Sequence, residues 1–508
     1  MQVQTLESGE VGSMKRYIAE MLDEYLAGSL SPWHMPGHKR KTFFGGMWDE
    51  MFRHDVTEVP GTDDYHHPEG AILASERAAA GVYGTAYSHY LVGGSTAGIL
   101  AGILALAELF RREYGEEVRP VFLVGKNVHR SVHNALRLAG AGRIDLIPEE
   151  DEDYGPVLPE EVRRKIDAQQ VSEADSDVTK DPSGTVFGMT GYKSHAEGSR
   201  GSWGFAGCII TSPTYGGAIS PLKEIREILS EEGIPLMVDE AHGAHLPFIK
   251  ETAALSGISC GAEIVVQSLH KTLPALTQTA VIHLTGQRGE DGNADEVPGK
   301  REDWYDADRL EKCLKEKLAV VQSSSPSYIL MVSAEQAVAW ADEHRKAFEE
   351  YLHRIQRFRA SLRESTTCFR LAEYQPLQDP TRITLRFKDE SSGIPMVQVS
   401  GQLEEQHGIV AELAGDKELI LISTVADTDE DLQKLMQALG KVGQQESVPD
   451  RTVTVPCDPG SPAEEDIYVY PPGILIVHKG EMITEEAAER IRREMKAGRR
   501  IYGLKKDM

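Results

Sequence analysis

Gln267-Ser268-Leu269-His270-Lys271-Thr272-Leu273-Pro274 joins two apolar runs of β type, residues 263–266 and 280–284. A lysine held between two buried strands loses hydration, and that loss favours its neutral form. A neutral lysine is a nucleophile that bonds covalently to carbonyl compounds. The pattern makes Lys271 a candidate covalent anchor. The alternative is a surface lysine in a polar turn.

An acid upstream favours the first interpretation. Residues 237–242 read Met-Val-Asp-Glu-Ala-His, so that a second apolar run ends at Asp239, roughly thirty positions before Lys271. In open α/β sheets, ligands bind at the carboxyl ends of the strands. A strand-end acid and a strand-end lysine can then face one cofactor, the acid on a pyridinium nitrogen and the lysine on an aldehyde. This pairing predicts pyridoxal 5'-phosphate as the cofactor.

The composition is that of a globular chain too long for one core. At 508 residues, two or three domains are expected. With 54 basic and 80 acidic residues the formal charge is −26, which argues against nucleic acid or a membrane surface as partner, because both attract basic patches. Five scattered cysteines form no C-x-x-C pair, so we predict no metal site and no disulfide framework. The N-terminus lacks a leader pattern, and the expected location is cytoplasmic.

Apolar runs alternate with helix-length connections between residues 120 and 284. The predicted strands are 120–124, 144–147, 207–211, 235–239, 263–267 and 280–284, with helices at 131–138 and 222–229. This order predicts an α/β fold with a mostly parallel sheet, of about seven strands, flanked by helices. His129, Thr214, Asp239 and Lys271 each follow a predicted strand, and we expect them at one edge of the sheet.

A glycine-rich turn, Gly93-Gly94-Ser95-Thr96, precedes an apolar helix predicted at 99–110. A helix N-terminus presents free N–H groups to an anion, and the hydroxyls of Ser95 and Thr96 stand beside them. The turn therefore predicts a phosphate site. A plain helix N-cap at Ser95 or Thr96 is the alternative.

The rest of the chain predicts a smaller C-terminal α+β domain. Its predicted elements are a long helix at 333–363, strands at 383–387 and 419–422, and helices at 396–406 and 428–440. The predicted division is an N-terminal segment (1–60) with a helix and an active-site or dimer loop, a large cofactor domain (61–330), and a small domain with its tail (331–508). Polar, glycine-rich stretches at 171–204 and 286–303 are interpreted as insertions or mobile loops.

Taken in order, these motifs resemble the ornithine/lysine/arginine decarboxylase family, bacterial pyridoxal-phosphate enzymes of the aspartate-aminotransferase-like fold. The resemblance runs from about residue 30 to 482. The matching motifs are Pro-Gly-His-Lys at 36–39, Thr-Asp-Asp-Tyr-His at 62–66, Val-His-Arg-Ser at 128–131, Pro-Thr-Tyr-Gly at 213–216, Asp-Glu-Ala-His-Gly at 239–243, Ser-Leu-His-Lys at 268–271 and Tyr-Pro-Pro-Gly at 470–473.

The resemblance implies roles for individual residues. Lys271 would carry the cofactor, and Asp239 would keep the ring nitrogen protonated so that the ring can absorb electrons during decarboxylation. The implied phosphate contacts are Ser95, Thr96, Ser268 and His270. The implied ring contacts are His129 on one face, Ala241 on the other and His242 beside the ring. Lys271, His129 and Asp239 are the implied catalytic residues, with His129 or the released lysine returning a proton.

The tail departs from the family pattern. Ile474-Leu475 stands where the family has Ile-Pro, and His478-Lys479-Gly480-Glu481 stands where Pro-Gly-Glu is usual. The early position of the motif at 36–39 leaves no room for the additional N-terminal domain of the larger members. The resemblance therefore implies a homodimer or a dimer-based oligomer, in which the loop at 61–70 reaches the neighbouring subunit's site.

The predicted function is α-decarboxylation of a basic amino acid (arginine, lysine or ornithine) to a polyamine or diamine and CO2. An aminotransferase or another pyridoxal-phosphate lyase is one alternative. In an aminotransferase, Arg382 or Arg386 would hold the substrate carboxylate, although we interpret both as surface charges at a strand edge. The second alternative is a catalytically silent, cofactor-binding subunit that regulates a partner.

Overall fold

The computed structural model describes residues 13–28, 30–148, 153–171, 205–286, 304–389, 394–443, 459–470, 473–496 and 499–504. The two predicted insertions lie outside the described residues apart from their end residues, 171 and 286. Cys457, Pro471 and Pro472 are likewise outside them.

The described chain alternates helices and strands in its first half and ends in small antiparallel sheets. The helices are α1 (Tyr17–Ala27), α2 (Met47–His54), α3 (Ala71–Tyr83), α4 (Gly94–Tyr114), α5 (Arg130–Leu138), α6 (Pro159–Val171), α7 (Leu222–Glu231), α8 (Leu269–Thr272), α9 (Ala307–Val321), α10 (Tyr328–Glu343), α11 (Arg345–Glu364), α12 (Met396–His407), α13 (Asp429–Leu439) and α14 (Glu485–Lys496). The strands of the first half are β1 (Tyr87–Leu91), β2 (Val121–Gly125), β3 (Gly142–Leu146), β4 (Phe205–Thr211), β5 (Ala218–Ile219), β6 (Leu236–Asp239), β7 (Ile264–Ser268) and β8 (Ala280–Leu284). Those of the second half are β9 (Phe369–Leu371), β10 (Leu377–Gln378), β11 (Ile383–Phe387), β12 (Leu413–Ala414), β13 (Leu419–Leu421), β14 (Ile467–Tyr470), β15 (Ile474–Val477) and β16 (Arg500–Tyr502).

The central sheet has seven strands in the order β1-β8-β7-β6-β4-β2-β3. Strands β3, β2, β4, β6 and β7 run parallel, and β8 is antiparallel to both of its neighbours. Every residue of β2, β4, β6 and β7 is buried, as in a parallel sheet covered on both faces. The predicted α/β fold with a mostly parallel sheet is confirmed.

Helix α4 crosses one face of the sheet at close range. A Cβ on Gly98 would lie 2.6 Å from Leu91 Cδ1, and one on Gly102 would lie 2.9 Å from Met237 Cε, so a larger residue at either position would force these side chains to shift. The helix begins at Gly94 without a side-chain cap, and the interpretation of Ser95 or Thr96 as its N-cap is therefore wrong. By length and apolar character α4 alone of the described helices could cross a membrane, and most of it is buried inside the protein.

The predicted single helix at 333–363 is two helices. Helix α10 ends before His344 and α11 begins after it, because the backbone of His344 (φ −117°, ψ 32°) leaves the helical region. Its imidazole stacks on Trp340 with ring centres 4.6 Å apart. No glycine or proline marks the break, and the helical periodicity of the sequence therefore runs through it.

The C-terminal part forms a four-stranded antiparallel sheet, β12-β13-β11-β9, and a three-stranded sheet, β15-β14-β16. A short pairing of β10 with β5 ties this part to the loop that follows β4. Buried residues of α1, β1, α10 and α11 belong to one hydrophobic core, among them Ile18, Tyr90, Tyr328 and Phe348. The domain boundaries at 60 and 330 stay predictions.

Candidate active site

The predicted site residues lie at the carboxyl edge of the sheet. Strand β6 ends at Asp239, and β7 ends at Ser268, which leads into the single turn α8 with His270 and Lys271. His129 follows β2 and is the N-cap residue of α5. Helix α4 starts after β1, which lies two places from β7 in the sheet, on the far side of β8. Right-handed crossover connections bring such strand ends and helix starts to one edge.

Thr214, in contrast, has a structural role. Its Oγ1 donates to the Tyr154 carbonyl oxygen at 2.6 Å and accepts from the Ala218 amide at 3.1 Å, closing the turn between β4 and β5. The next residue, Tyr215, does face the site, because its ring packs edge-on against His242 with centres 4.8 Å apart.

Lys271 meets His242 at the centre of the site. Its Nζ lies 3.0 Å from His242 Nε2. Burial lowers the pKa of Lys271 and the nearby Arg382 lowers it further, while Asp239 and Glu412 act in the opposite direction. The net effect is a lowered pKa, which makes the neutral, nucleophilic form of the amine easier to reach.

Arg382 occupies the other side of His242, with its Nη2 3.1 Å from His242 Nδ1. A guanidinium only donates, so Nδ1 is the acceptor in this contact. Burial, reinforced by the charge of Arg382, holds the pKa of His242 well below its usual value, and the neutral ring then carries its proton on Nε2. That Nε2–H can donate only to an unprotonated Lys271. Arg382 thus fixes the tautomer that accommodates the nucleophilic amine.

The expectation that Arg382 is a surface charge is wrong. Only 2% of the residue is exposed, and its Nε and Nη1 have no hydrogen-bond partner among the described residues. Gly217 (φ +98°) makes room for it, because a Cβ there would lie 2.6 Å from Arg382 Cβ. Arg386, in contrast, is half-buried and donates from Nε to Glu418 Oε1 at 2.6 Å.

Asp239 is a buried carboxylate, 2% exposed. Its Oδ1 accepts from the Ala241 amide at 3.2 Å, and burial raises its pKa against the opposing effects of Lys271 and that amide. Thr211 lies beside it in the register of β4 and β6, and the Thr211 hydroxyl has no partner among the described residues. A buried acid of this kind is suited to a cationic partner, since pairing offsets its lost hydration.

The predicted phosphate residues lie around the start of α4. Ser268 is fully buried and donates from Oγ to Ser95 Oγ at 3.0 Å, while Thr96 is exposed in the same helical turn. Within the described residues no side chain caps this helix, so its first amides are available to an anion. His270 Nδ1 lies 2.8 Å from the Thr279 carbonyl oxygen and donates to it, which leaves Nε2 for another partner.

His129 presents an exposed ring at the cleft. Its Nδ1 accepts from the Ser131 amide at 3.2 Å, which orients the imidazole. Desolvation by surrounding side chains lowers the pKa of His129, and positive charge at Lys271 and Arg130 acts in the same direction. The tail reaches this ring, because a Cβ on Gly473 would lie 3.8 Å from His129 Nε2.

Sequence reasoning missed Tyr215 and Glu412 as site residues. The Tyr215 hydroxyl donates to Glu412 Oε1, which places an exposed carboxylate of the C-terminal part beside the cleft. Nothing in the local pattern distinguishes Glu412 from other surface acids. For Arg382, the available signal was its place directly before the apolar run of β11, where a charged residue needs a partner.

One cluster away from the cleft has the spacing of metal ligands: Glu108, Cys313 and Glu316. Lys317 and Arg112 already pair with Glu108, and Arg112 also contacts Glu316. These cations satisfy the carboxylates, and the cluster gives no reason to infer a metal.

Comparison with known proteins agrees with this architecture. The model of the Orn/Lys/Arg decarboxylase major domain matches residues 18–384. The chain is 30% identical to the uncharacterized protein YaaO of Bacillus subtilis, over 92% of each chain. It is 27% identical to the arginine decarboxylase of the same organism, over 92% of this chain and 91% of the relative.

Solved structures share the fold. The lysine decarboxylase LdcF of Francisella novicida matches with a TM-score of 0.69 at 17% identity, covering 97% of this chain and 79% of that one. The constitutive lysine decarboxylase of E. coli matches with a TM-score of 0.67 at 17% identity, covering 97% and 81%. On the family-model match and the relatives together, the chain belongs to the Orn/Lys/Arg decarboxylase family.

Proposed function

We propose that the protein is a pyridoxal-phosphate-dependent α-decarboxylase that converts arginine, lysine or ornithine to a polyamine or diamine and CO2. The observation that carries the proposal is the meeting of three groups at one sheet edge: the Lys271 amine, the buried Asp239 carboxylate and the uncapped start of α4. Similarity to an arginine decarboxylase supports the substrate class.

The residues present fit this cofactor. When bound, the cofactor supplies an electron sink for the carbanion left by decarboxylation. Lys271 would hold its aldehyde, and Asp239 would hold its ring nitrogen in the protonated form. The phosphate would be held by Ser95, Thr96, Ser268 and His270. His129 and Ala241 would enclose the ring, with His242 beside it.

The protein's own contribution is orientation and proton placement. His242 is a proton donor at Nε2 toward Lys271, and Arg382 keeps it so. The Nε and Nη1 groups of Arg382 have no partner among the described residues, and we propose that its guanidinium pairs with the substrate's α-carboxylate. Binding at one end of the substrate would restrict its orientation and so which bond at Cα can break. His129 and Lys271 are the candidates to return a proton to Cα.

Arg382 also favours a second candidate, an aminotransferase. An arginine that binds the carboxylate tightly would preserve it and leave the Cα–H bond to break. Incubation of the purified, cofactor-supplemented protein with each basic amino acid separates the two. Decarboxylation releases CO2 and an amine, and transamination gives a keto acid without CO2.

The same assay tests the silent-subunit alternative, because turnover by the purified protein alone excludes it. Lys271→Ala is expected to remove the visible absorption band of the bound cofactor and to lower the rate at least a thousandfold. Lys223→Ala, an exposed lysine on α7, is the matched control and should retain both. An unchanged spectrum and rate in Lys271→Ala would contradict the proposed anchor.

We propose further that the protein works as a homodimer. A segment near the N-terminus exposes several large apolar side chains: Trp33 (93% exposed), Phe44 (74%) and Met47 (67%). Such a patch is typical of an interaction surface. Light scattering on the purified protein checks this proposal, and a monomer at micromolar concentration would contradict it. The division at residues 60 and 330 and the cytoplasmic location are further proposals.

A further inference from the structure

We infer that Gln278 and Gln322 are positioning residues for the turn that binds the cofactor's phosphate. This phosphate turn is residues 92–96, which lead from β1 into the first turn of α4. The two glutamines act through the backbone of Val92 and Gly93 rather than on the phosphate itself. The inference deepens the proposed function and rests on it.

Gln322, directly after α9, binds the start of the phosphate turn. Its side-chain oxygen accepts from the Val92 amide at 3.0 Å and from the Gly93 amide at 3.2 Å. Its side-chain nitrogen donates to the Tyr65 hydroxyl, which in turn donates to the Tyr90 carbonyl oxygen at 2.6 Å. Gln322 and Tyr65 are both buried, so these bonds lie where a missing partner is costly.

Gln278 binds the same turn from a second segment of the chain. Its Nε2 donates to the Val92 carbonyl oxygen at 2.7 Å. The ladder between β1 and β8 ends at the pair Leu91 and Ala280, so this side chain continues the link just beyond the paired strands. The backbone of Gln278 has φ +84°, a left-handed value that residues other than glycine rarely adopt. Such strain persists only where the surrounding structure holds it, and it is concentrated at functional sites.

The segment that carries Gln278 also orients a second proposed phosphate residue. The carbonyl oxygen of the next residue, Thr279, accepts from His270 Nδ1 at 2.8 Å and from the Leu269 amide at 3.1 Å. A Cβ on Gly94 would lie 3.8 Å from the Gln278 carbonyl oxygen, so Gln278 borders the start of α4. One short segment therefore fixes His270 and the start of α4 relative to each other.

A fixed turn matters because a phosphate is bound by several donors at once. The amides of a helix start bind an anion best when they already point at one place, since ordering them on binding lowers the affinity. The two glutamines occupy the amide and carbonyl of Val92 and the amide of Gly93. Among the described residues no side chain caps α4, so the amides of its first turn are left for the anion.

The alternative role is purely structural, in which the two glutamines only fasten the edge strand β1 to its neighbours. The two roles differ in what the loss of a glutamine weakens. Loosening β1 would disturb the cofactor site as a whole and weaken binding with or without a phosphate group. Misplacing the phosphate turn would weaken only ligands that carry the phosphate.

The test compares pyridoxal phosphate with pyridoxal, which has the same ring and aldehyde but no phosphate. Gln278→Asn keeps an amide that is one carbon too short to reach Val92, and Gln322→Leu removes both hydrogen-bonding groups at similar size. Gln433→Asn, at an exposed position of α13, is the matched control. Dissociation constants come from absorbance titrations of the full-length, cofactor-free protein, and thermal unfolding checks that each variant is folded.

Gln278→Asn and Gln322→Leu should each weaken the binding of pyridoxal phosphate about tenfold or more and leave pyridoxal within about twofold. Gln278→Gly adds a readout of stability, because glycine adopts φ +84° without steric cost. Its apparent melting temperature without cofactor should stay within about 2 °C of the original, while its affinity for pyridoxal phosphate falls as in Gln278→Asn. Should Gln322→Leu not fold, Tyr65→Phe, which removes the partner of the Gln322 side-chain nitrogen, takes its place with the same expected pattern.

For each glutamine, two results would overturn the inference: an affinity for pyridoxal phosphate equal to that of Gln433→Asn, or an equal loss for pyridoxal phosphate and pyridoxal. Failure of the proposed function looks different. An enzyme that yields keto acid instead of CO2, yet loses pyridoxal phosphate selectively in these variants, would refute decarboxylation and keep Gln278 and Gln322 as positioning residues. An unaltered protein that binds pyridoxal phosphate no more tightly than pyridoxal would refute the phosphate site and the inference together.

Discussion

Replacing Arg382 by methionine should stabilise the cofactor-free protein and impair substrate binding at once. Arg382 is 2% exposed, and its Nε and Nη1 have no partner among the described residues. Each unsatisfied buried donor costs about 1 to 3 kcal/mol. Within the described part of the chain the side chain makes one hydrogen bond, to His242, worth about 1 kcal/mol, and its attraction to Asp379 offsets part of the cost.

The expected net gain is about 1 to 3 kcal/mol in the free energy of unfolding. Methionine keeps the Cβ and Cγ that fill the space beside Gly217, so the change removes the charge without opening a large cavity. The apparent melting temperature of the cofactor-free protein should rise by a few degrees. This is the balance expected where a site is built for a ligand rather than for stability.

Binding should change in the opposite direction. A guanidinium pairs with a carboxylate through two charge-assisted hydrogen bonds, so Arg382→Met should weaken lysine binding about a hundredfold. The diamine 1,5-diaminopentane, which lacks the carboxylate, should bind within a few-fold of its original affinity. Calorimetry on protein loaded with pyridoxal phosphate, in a Lys271→Ala background that suppresses turnover, measures both affinities.

Arg359→Met is the matched control. Arg359 is also buried, 8% exposed, but its Nη1 donates to the Arg382 carbonyl oxygen at 2.9 Å. Its loss should lower the melting temperature. If Arg382→Met also lowers the melting temperature and binds lysine normally, the guanidinium is a structural group and the assignment of a carboxylate site is refuted.

Two further predictions concern the helix that follows His129 and the phosphate site. Burial lowers the pKa of His133 to about 3, below its unfolded value near 6.5, so stability is full above pH 6.5 and falls as the pH drops. Between pH 7.5 and 5, protonation of His133 in the unfolded chain should lower the free energy of unfolding by about 2 kcal/mol. In urea unfolding, His133→Asn should show a weaker dependence of this free energy on pH; an unchanged dependence would contradict the prediction. Ser268→Ala should weaken the binding of pyridoxal phosphate tenfold or more in absorbance titrations but leave the affinity for pyridoxal unchanged. An equal loss of affinity for both compounds would argue against a phosphate contact.

The sheet was predictable because most of its strands can be recognised from the local sequence. Runs such as 207–211 and 280–284 are apolar on both faces, and a strand buried on both sides needs no partner to be recognised. Strand β1, Tyr-Ser-His-Tyr-Leu, was missed. Its polar residues are buried, and Ser88 Oγ lies 2.7 Å from His283 Nδ1, a partner that only the fold supplies.

The candidate site also contains residues that local sequence predicts and residues that only the fold brings there. Lys271 and Asp239 follow apolar strands directly, so their place at the sheet edge follows from local pattern and the rule for parallel sheets. Arg382 and Glu412 come from the C-terminal part, more than a hundred residues later. No periodicity links them to Lys271.

The sequence by itself determined the parallel sheet and the family, and it placed Lys271 and Asp239 directly after buried strands, because burial pattern and motifs can be read from local sequence. Only the tertiary structure decided that Arg382 is buried against His242, that Glu412 is held by Tyr215, and that a helix breaks at His344. The physical reason is that the burial of a charge depends on which distant surfaces close around it. That closure is a property of packing rather than of neighbouring residues.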